Sequence, residues 1–169
     1  MSATQTAANE GEITTKFWKA LKSDRTMMLG LAAGQEDGHA RPMTGQIEGD
    51  EGGPIWFFAA TDSNLVEQVE RGGDTRAMAH FVSKGHNVWA TVHGTLSTTK
   101  DRMIIERLWN PFVAAWYEGK DDPKIILIRL DTESAQIWID ASSTVAGIKM
   151  LLGIDPKKDY ANKVAEVTL

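Results

Sequence analysis

The sequence predicts a mainly β fold: six or seven strands, mostly antiparallel, forming a closed or partly closed barrel with short helices at the connections. Two observations lead there. Apolar stretches of strand length recur along the 169 residues. They come in consecutive pairs joined by short turns, the arrangement that antiparallel strands require. No internal repeat and no second domain is visible, so residues 1–169 read as one domain.

The elements follow in order. Residues 1–11 are polar and are expected to be a flexible lead. Thr14 or Thr15 can cap a short first helix over 16–22, with Phe17 and Leu21 one turn apart. Residues 25–33 read as a buried strand ending at Gly34, and Gln35 to Gly38, rich in Gly and Asp, as a turn. The strand over 39–48 places Arg41, Met43 and Ile47 on one face and Thr44, Gln46 and Glu48 on the other. Pro42 has no N–H for the ladder, so this strand belongs at an edge or a bulge. Residues 55–60 are apolar on both faces, which is expected of a central strand.

Ser63 or Asn64 caps a helix reaching about Arg71, with Leu65, Val66 and Val69 inward, and Gly72-Gly73 ends it. Strands over 75–83 and 87–98 flank the turn Lys84-Gly85-His86. A helix over 101–109 breaks at Asn110-Pro111, a cap followed by a first-turn proline, and restarts. Ile105, Leu108, Trp109, Phe112 and Trp116 fall at helix-like spacing across that break. Two more strands are expected over 124–130 and 135–140. A last helix over 144–152, capped by Ser142 or Ser143, is followed by an apolar pattern at Val164, Val167 and Leu169.

Composition narrows the function. A net charge of −5 disfavours a nucleic-acid backbone as partner. The absence of cysteine excludes disulfides, thiolate metal sites and thiol nucleophiles. The start carries no apolar signal core and no run is long enough to span a bilayer, so a cytoplasmic protein is expected, without membrane or nucleic-acid partners. His39, His80, His86 and His93 have no ligand spacing, and no metal site is expected. No Ser/His/Asp set or carboxylate pair stands out, and the glycine-rich patches lack phosphate-loop spacing.

The candidate chemistry lies in two neighbouring stretches. Arg41-Pro42-Met43 puts a guanidinium on a strand, where its planar fork suits phosphate oxygens. Its plainer role is a solvated surface ion pair. The strand 55–60 runs into Thr61, Ser63 and Asn64, whose hydroxyls and amide sit at a helix start and suit an anion. The plainer role there is N-capping alone. Together the stretches suit a phosphate beside an aromatic wall.

The order of four motif sets resembles one family. They are Arg41-Pro42-Met43; Trp56-Phe57-Phe58 with Thr61-Asp62-Ser63; Arg107-Leu108-Trp109 with Ala115-Trp116-Tyr117, Gly119 and Asp121-Asp122-Pro123; and Ile137-Trp138-Ile139-Asp140. Over roughly residues 14–152 the chain resembles the pyridoxamine 5'-phosphate oxidase-like flavoproteins, and within them the bacterial general stress proteins.

The resemblance implies a split β-barrel homodimer with FMN in grooves between the subunits. It further implies FMN-contacting residues at Arg41, Pro42, Met43, Phe58, Ala59, Thr61, Ser63 and Asn64. Trp109 and Trp116 would wall the space above the flavin, or simply pack their helices. Trp138 would reach the flavin from the other subunit. Asn64 stands where many relatives carry lysine, so either phosphate affinity is expected to be weaker or Arg41 and Lys84 are expected to carry more of the charge balance.

The implied function is a flavin-dependent oxidoreductase acting on a small molecule of unknown identity, with no catalytic residue assignable. One alternative is an FMN-binding stress or sensor protein without turnover. The other is a haem-binding relative on the same barrel, which the acidic charge and the lack of a histidine motif disfavour.

Overall fold

The structure, a computed structural model, describes residues 3–32, 39–140 and 164–169. Its seven strands are β1 (Thr26–Leu31), β2 (Arg41–Thr44), β3 (Ile55–Ala60), β4 (Arg76–Val82), β5 (Val88–Thr99), β6 (Ile125–Ile139) and β7 (Val164–Thr168). The helices are α1 (Ala3–Asp24), α2 (Asn64–Glu70), α3 (Arg102–Leu108) and α4 (Pro111–Ala114). All strand pairings are antiparallel, in the order β2-β1-β4-β5-β6-β3, with β7 also against β6. The sheet curls until its two end strands meet at one bridge. There Gln46 N–H donates to Trp56 C=O and Trp56 N–H to Gln46 C=O, each at 2.8 Å. Closure stops at that bridge, so the barrel is split, as the sequence predicts. The last helix expected over 144–152 lies outside the described residues.

Four sequence expectations are corrected. First, residues 3–11 belong to α1 rather than to a flexible lead. Thr14 caps nothing; its hydroxyl donates to Glu10 C=O one turn back, at 2.8 Å. Ile13, Phe17, Trp18 and Leu21 form a buried stripe that anchors this helix on the barrel interior. Phe17 meets Trp18 and Phe81 at ring centroid distances of 5.0 and 6.0 Å.

Second, the regular strand over 39–48 is only β2, at the edge that Pro42 requires, followed by the Gln46 bridge. Third, β3 ends the sheet instead of occupying its centre. It is apolar on both faces because α3 covers it from outside. Ile55, Phe57 and Ala59 face the interior, while Trp56 joins Ile105, Leu108, Ile125 and Leu127 in a second, outer cluster. Phe58, Ile104, Trp109 and Tyr117 pack around that cluster.

Fourth, the two strands expected over 124–130 and 135–140 are one 15-residue strand, β6. Its register against β5 shifts between His93 and Gly94, which pair with Ser134 and Thr132, so Glu133 is an extra residue in a bulge. Gly94 makes this possible. A Cβ there would collide with the Asp131 carbonyl oxygen and sit 2.9 Å from its carbon.

Candidate functional site

A groove of about 490 Å³ opens where β2, the end of β3, the start of α2 and α4 converge. Phe58, Phe112, Trp116 and Tyr117 contribute an aromatic wall to its lining. Arg41, Pro42, Met43, Ala59 and Ser63 line it as well. The size falls within the usual range of small-molecule sites.

Each element places its residue for a local reason. Alternation along β2 turns Arg41 and Met43 the same way, and both are half-buried. Among the described residues Arg41 makes no ion pair, although nine other cation–carboxylate contacts are present. It is also the one charged side chain among the groove's lining residues. Ser63 caps α2 by accepting a hydrogen bond from Val66 N–H at 3.4 Å, and its own N–H donates to Ala60 C=O. Its plainer capping role is therefore the one its side chain performs.

Asn110 ties the aromatic wall to the barrel. Its Oδ1 accepts from Phe112 N–H and Val113 N–H at 3.0 and 3.2 Å, capping α4. Its Nδ2 donates to Leu108 C=O and to Gln46 Oε1, both at 3.1 Å. Pro111 at the first helical position then fixes the direction of α4. Phe112 and Trp116 project from this short helix and its end, 77% and 84% exposed, so they form the groove's mouth rather than a helix core.

Tyr117 lies deeper, with its ring centroid 6.4 Å from that of Phe58. Burial, and secondarily the Asp122 charge, hold its phenol above the usual tyrosine range. Asp122 itself organises a turn. It accepts hydrogen bonds from Lys124 N–H and Glu118 N–H, which hold its carboxyl below the usual range.

Of the residues singled out from the sequence, the groove brings together Arg41, Pro42, Met43, Phe58, Ala59, Ser63 and Trp116. Four do not line it. Thr61 spends its N–H on Lys124 C=O at 2.9 Å, and Asn64 is exposed on α2. Trp109 backs Phe58 edge-on, at a centroid distance of 6.1 Å. Trp138 lies in a separate hollow with His80, Val82, Trp89 and Thr91. Lys84, expected to share the phosphate charge, sits at the β4–β5 turn, 4.0 Å from Asp24.

Sequence reasoning missed Thr26, Thr44, Gln46, Asn110, Phe112 and Tyr117, all of which line the groove. Asn110 carried a capping signal, and Tyr117 lay inside a quoted motif. Gln46 carried none, because a glutamine in a strand reads as solvent-facing.

The pyridoxamine 5'-phosphate oxidase-like family model matches residues 12–160, a span that holds the groove, strands β1 to β6 and helices α2 to α4. The chain belongs to this family. Among solved structures, a general stress family protein from Xanthomonas campestris pv. campestris is 58% identical. The match covers 79% of this chain and 90% of that one, with a TM-score of 0.72. A protein from Xanthomonas citri described as a general stress FMN/FAD binding protein is 57% identical, over 79% and 92% of the two chains, with a TM-score of 0.73. A general stress protein 26 from Jannaschia sp. CCS1 is 27% identical over 95% and 99%, with a TM-score of 0.79.

Protein bli-3 of Neurospora crassa is a more distant curated relative, 24% identical over 125 residues, or 68% of this chain. The chain spans 59% of that protein's length. These likenesses put the chain in the general stress branch of the pyridoxamine 5'-phosphate oxidase-like family. Among the described residues, no helix is long and apolar enough to cross a membrane.

Proposed function

We propose that the groove binds FMN, with Arg41 on the phosphate and the flavin ring between Met43 and the aromatic wall. One observation carries this reading. Arg41 is the only charged lining residue, half-buried and without an ion pair among the described residues, in a groove otherwise lined by apolar, aromatic and uncharged polar side chains. A half-buried cation without a partner favours a bound anion, and a planar wall favours a planar ring. The description of the Xanthomonas citri relative as FMN/FAD binding supports the same reading.

When bound, the flavin would supply the redox chemistry. The chain's own residues would bind and orient it: Arg41 would neutralise charge, Phe58 and Ala59 would border it, and Phe112 and Trp116 would limit water at the mouth. With no carboxylate, histidine or lysine in the lining, binding and tuning are what these side chains are equipped to do. We read the protein as a flavin-dependent oxidoreductase. A flavoprotein without turnover is the second reading, favoured by that same lack of an acid–base pair.

The functional unit is proposed to be a homodimer with the flavin between subunits. Met28, Val82 and Trp89 are 40%, 39% and 44% exposed on the barrel's outer surface, and Phe112 and Trp116 project at the groove mouth. A purified protein that is yellow and releases FMN on denaturation is the expected result. A colourless protein that takes up no added FMN overturns the reading. Anaerobic bleaching by NADH or NADPH is expected of the oxidoreductase, and a flavin that resists both favours the second reading.

A further inference from the structure

Gln46 is one of two polar side chains among the buried described residues, at 7% exposure, yet it lines the groove. Its backbone is fixed by both hydrogen bonds of the Trp56 bridge. The direction of its side-chain amide follows from its neighbours. Asn110 accepts two backbone N–H bonds at α4, so the atom receiving them is Oδ1, the acceptor. The other Asn110 atom is therefore the donor Nδ2, which also bonds Leu108 C=O. The Gln46 atom 3.1 Å from that donor must be the acceptor Oε1. Gln46 Nε2 is left with no protein acceptor among the described residues. Nor is it sealed away from solvent, since Trp56 Nε1 is the one buried unpartnered side-chain atom found among them. Its remaining outlet is the groove.

We propose that Gln46 Nε2 donates a hydrogen bond to the ring of the bound ligand, and that Asn110 enforces this direction. The proposal rests on the flavin reading and deepens it. A fixed donor selects a ring edge that carries a carbonyl oxygen or an unprotonated nitrogen, such as the pyrimidine edge of a flavin, and rejects a protonated amine. It is also a contact to the ring rather than to the phosphate, which Arg41 serves. An oriented donor beside the ring favours the electron-rich reduced form over the oxidised one.

The test uses the full-length protein with the Gln46→Met, Gln46→Glu and Asn110→Ala variants. It titrates FMN and riboflavin by flavin fluorescence, and measures flavin-free melting and the bound reduction potential. Gln46→Met keeps the volume and removes the donor. It is expected to weaken FMN and riboflavin alike, about tenfold each, with flavin-free melting nearly unchanged. Its affinity for reduced flavin should fall a further tenfold beyond that for oxidised flavin, equivalent to about 30 mV of lost potential for a two-electron couple. Gln46→Glu, which places a carboxylate there, should lose more on both counts. Asn110→Ala should weaken both ligands by a smaller factor, because the amide is then free to turn.

Unchanged affinity and potential in Gln46→Met, with wild-type FMN binding intact, overturn the Gln46 assignment alone. A loss confined to FMN and absent for riboflavin also overturns it, since the contact would then be to phosphate. A wild-type protein that binds neither flavin overturns the flavin reading together with this one.

Discussion

Arg41 differs from Arg102 and Arg107 in what surrounds it. Arg107 pairs with Glu48 at 2.7 Å, and Arg102 with Asp121 and Glu106, all on the surface. Exposed pairs of this kind contribute little. Arg41→Ala is therefore expected to lower FMN affinity by roughly one to two orders of magnitude, the value of one charge-assisted hydrogen bond. Arg102→Ala and Arg107→Ala should leave affinity unchanged within about twofold. Fluorescence titration of the three variants checks this, and equal affinities for wild type and Arg41→Ala would remove Arg41 from the site.

One surface pair, Asp74 with Arg76, has its effect in acid. Hydrogen bonds from Arg76 hold the Asp74 carboxyl down to about 2, from an ordinary 3.8. A carboxyl lowered on folding contributes stability that is present above its unfolded value and lost as pH falls through its folded value. Stability should thus decline between about pH 4 and pH 2, and Asp74→Asn should decline less steeply there. Urea midpoints at pH 5 and pH 2.5 give the comparison.

Among the elements, β6 is the one on which the others depend. It pairs with β5, β3 and β7, so its continuity keeps the barrel in one piece. The bulge at Glu133 bends it, and Gly94 on β5 admits the close approach of the Asp131 backbone. Because the obstructing atoms are backbone, they cannot rotate aside. Gly94→Ala is expected to cost about 3 kcal/mol or more, at or above the upper end of overpacking effects. Chemical denaturation of the flavin-free protein measures it. A change below about 1 kcal/mol would show that the strands can separate at the bulge without penalty. The α3–α4 break acts differently. Asn110 caps α4 and reaches Gln46, so one side chain sets both the groove's wall and its floor.

At the scale of the molecule, the two aromatic regions of one subunit are separate. Trp138 pairs across strands with Trp89, in a hollow that shares no lining residue with the Arg41 groove. Its neighbour Ile137 is fully buried, so alternation turns Trp138 away from the core. With the flavin in the Arg41 groove, as proposed, Trp138 would reach it from a partner subunit. Trp138→Ala is expected to loosen FMN by up to about tenfold, the value of one aromatic contact. The flavin-free melting temperature should stay within a few degrees of wild type. Light scattering is expected to report a dimer of the wild-type chain. A drop of many degrees in melting with unchanged affinity would place Trp138 in its own barrel's packing and remove its role across the interface.

What the sequence determined by itself was local. Apolar alternation marks the strands, Ser63 and Asn110 announce their helices, Pro42 assigns its strand to an edge, and Arg41 and Met43 share a face because a strand repeats every two residues. The ordered motifs placed the chain in its family. The tertiary structure decided whatever depends on residues far apart in the chain. Residues 131–134 fall between two expected strands until Gly94 lets them pass as a bulge in one strand. The two apolar faces of β3 look central until α3 is seen to cover the outer one. The resemblance implies flavin contacts at Thr61, Asn64 and Trp138, yet within one subunit none of the three lines the groove. Gln46 reads as a solvent-facing strand residue, and only Asn110, 64 residues along the chain, turns its amide into a directed donor. Periodicity and capping act within a few residues, whereas register, closure and the direction of a buried amide are set by atoms that meet only once the barrel has formed.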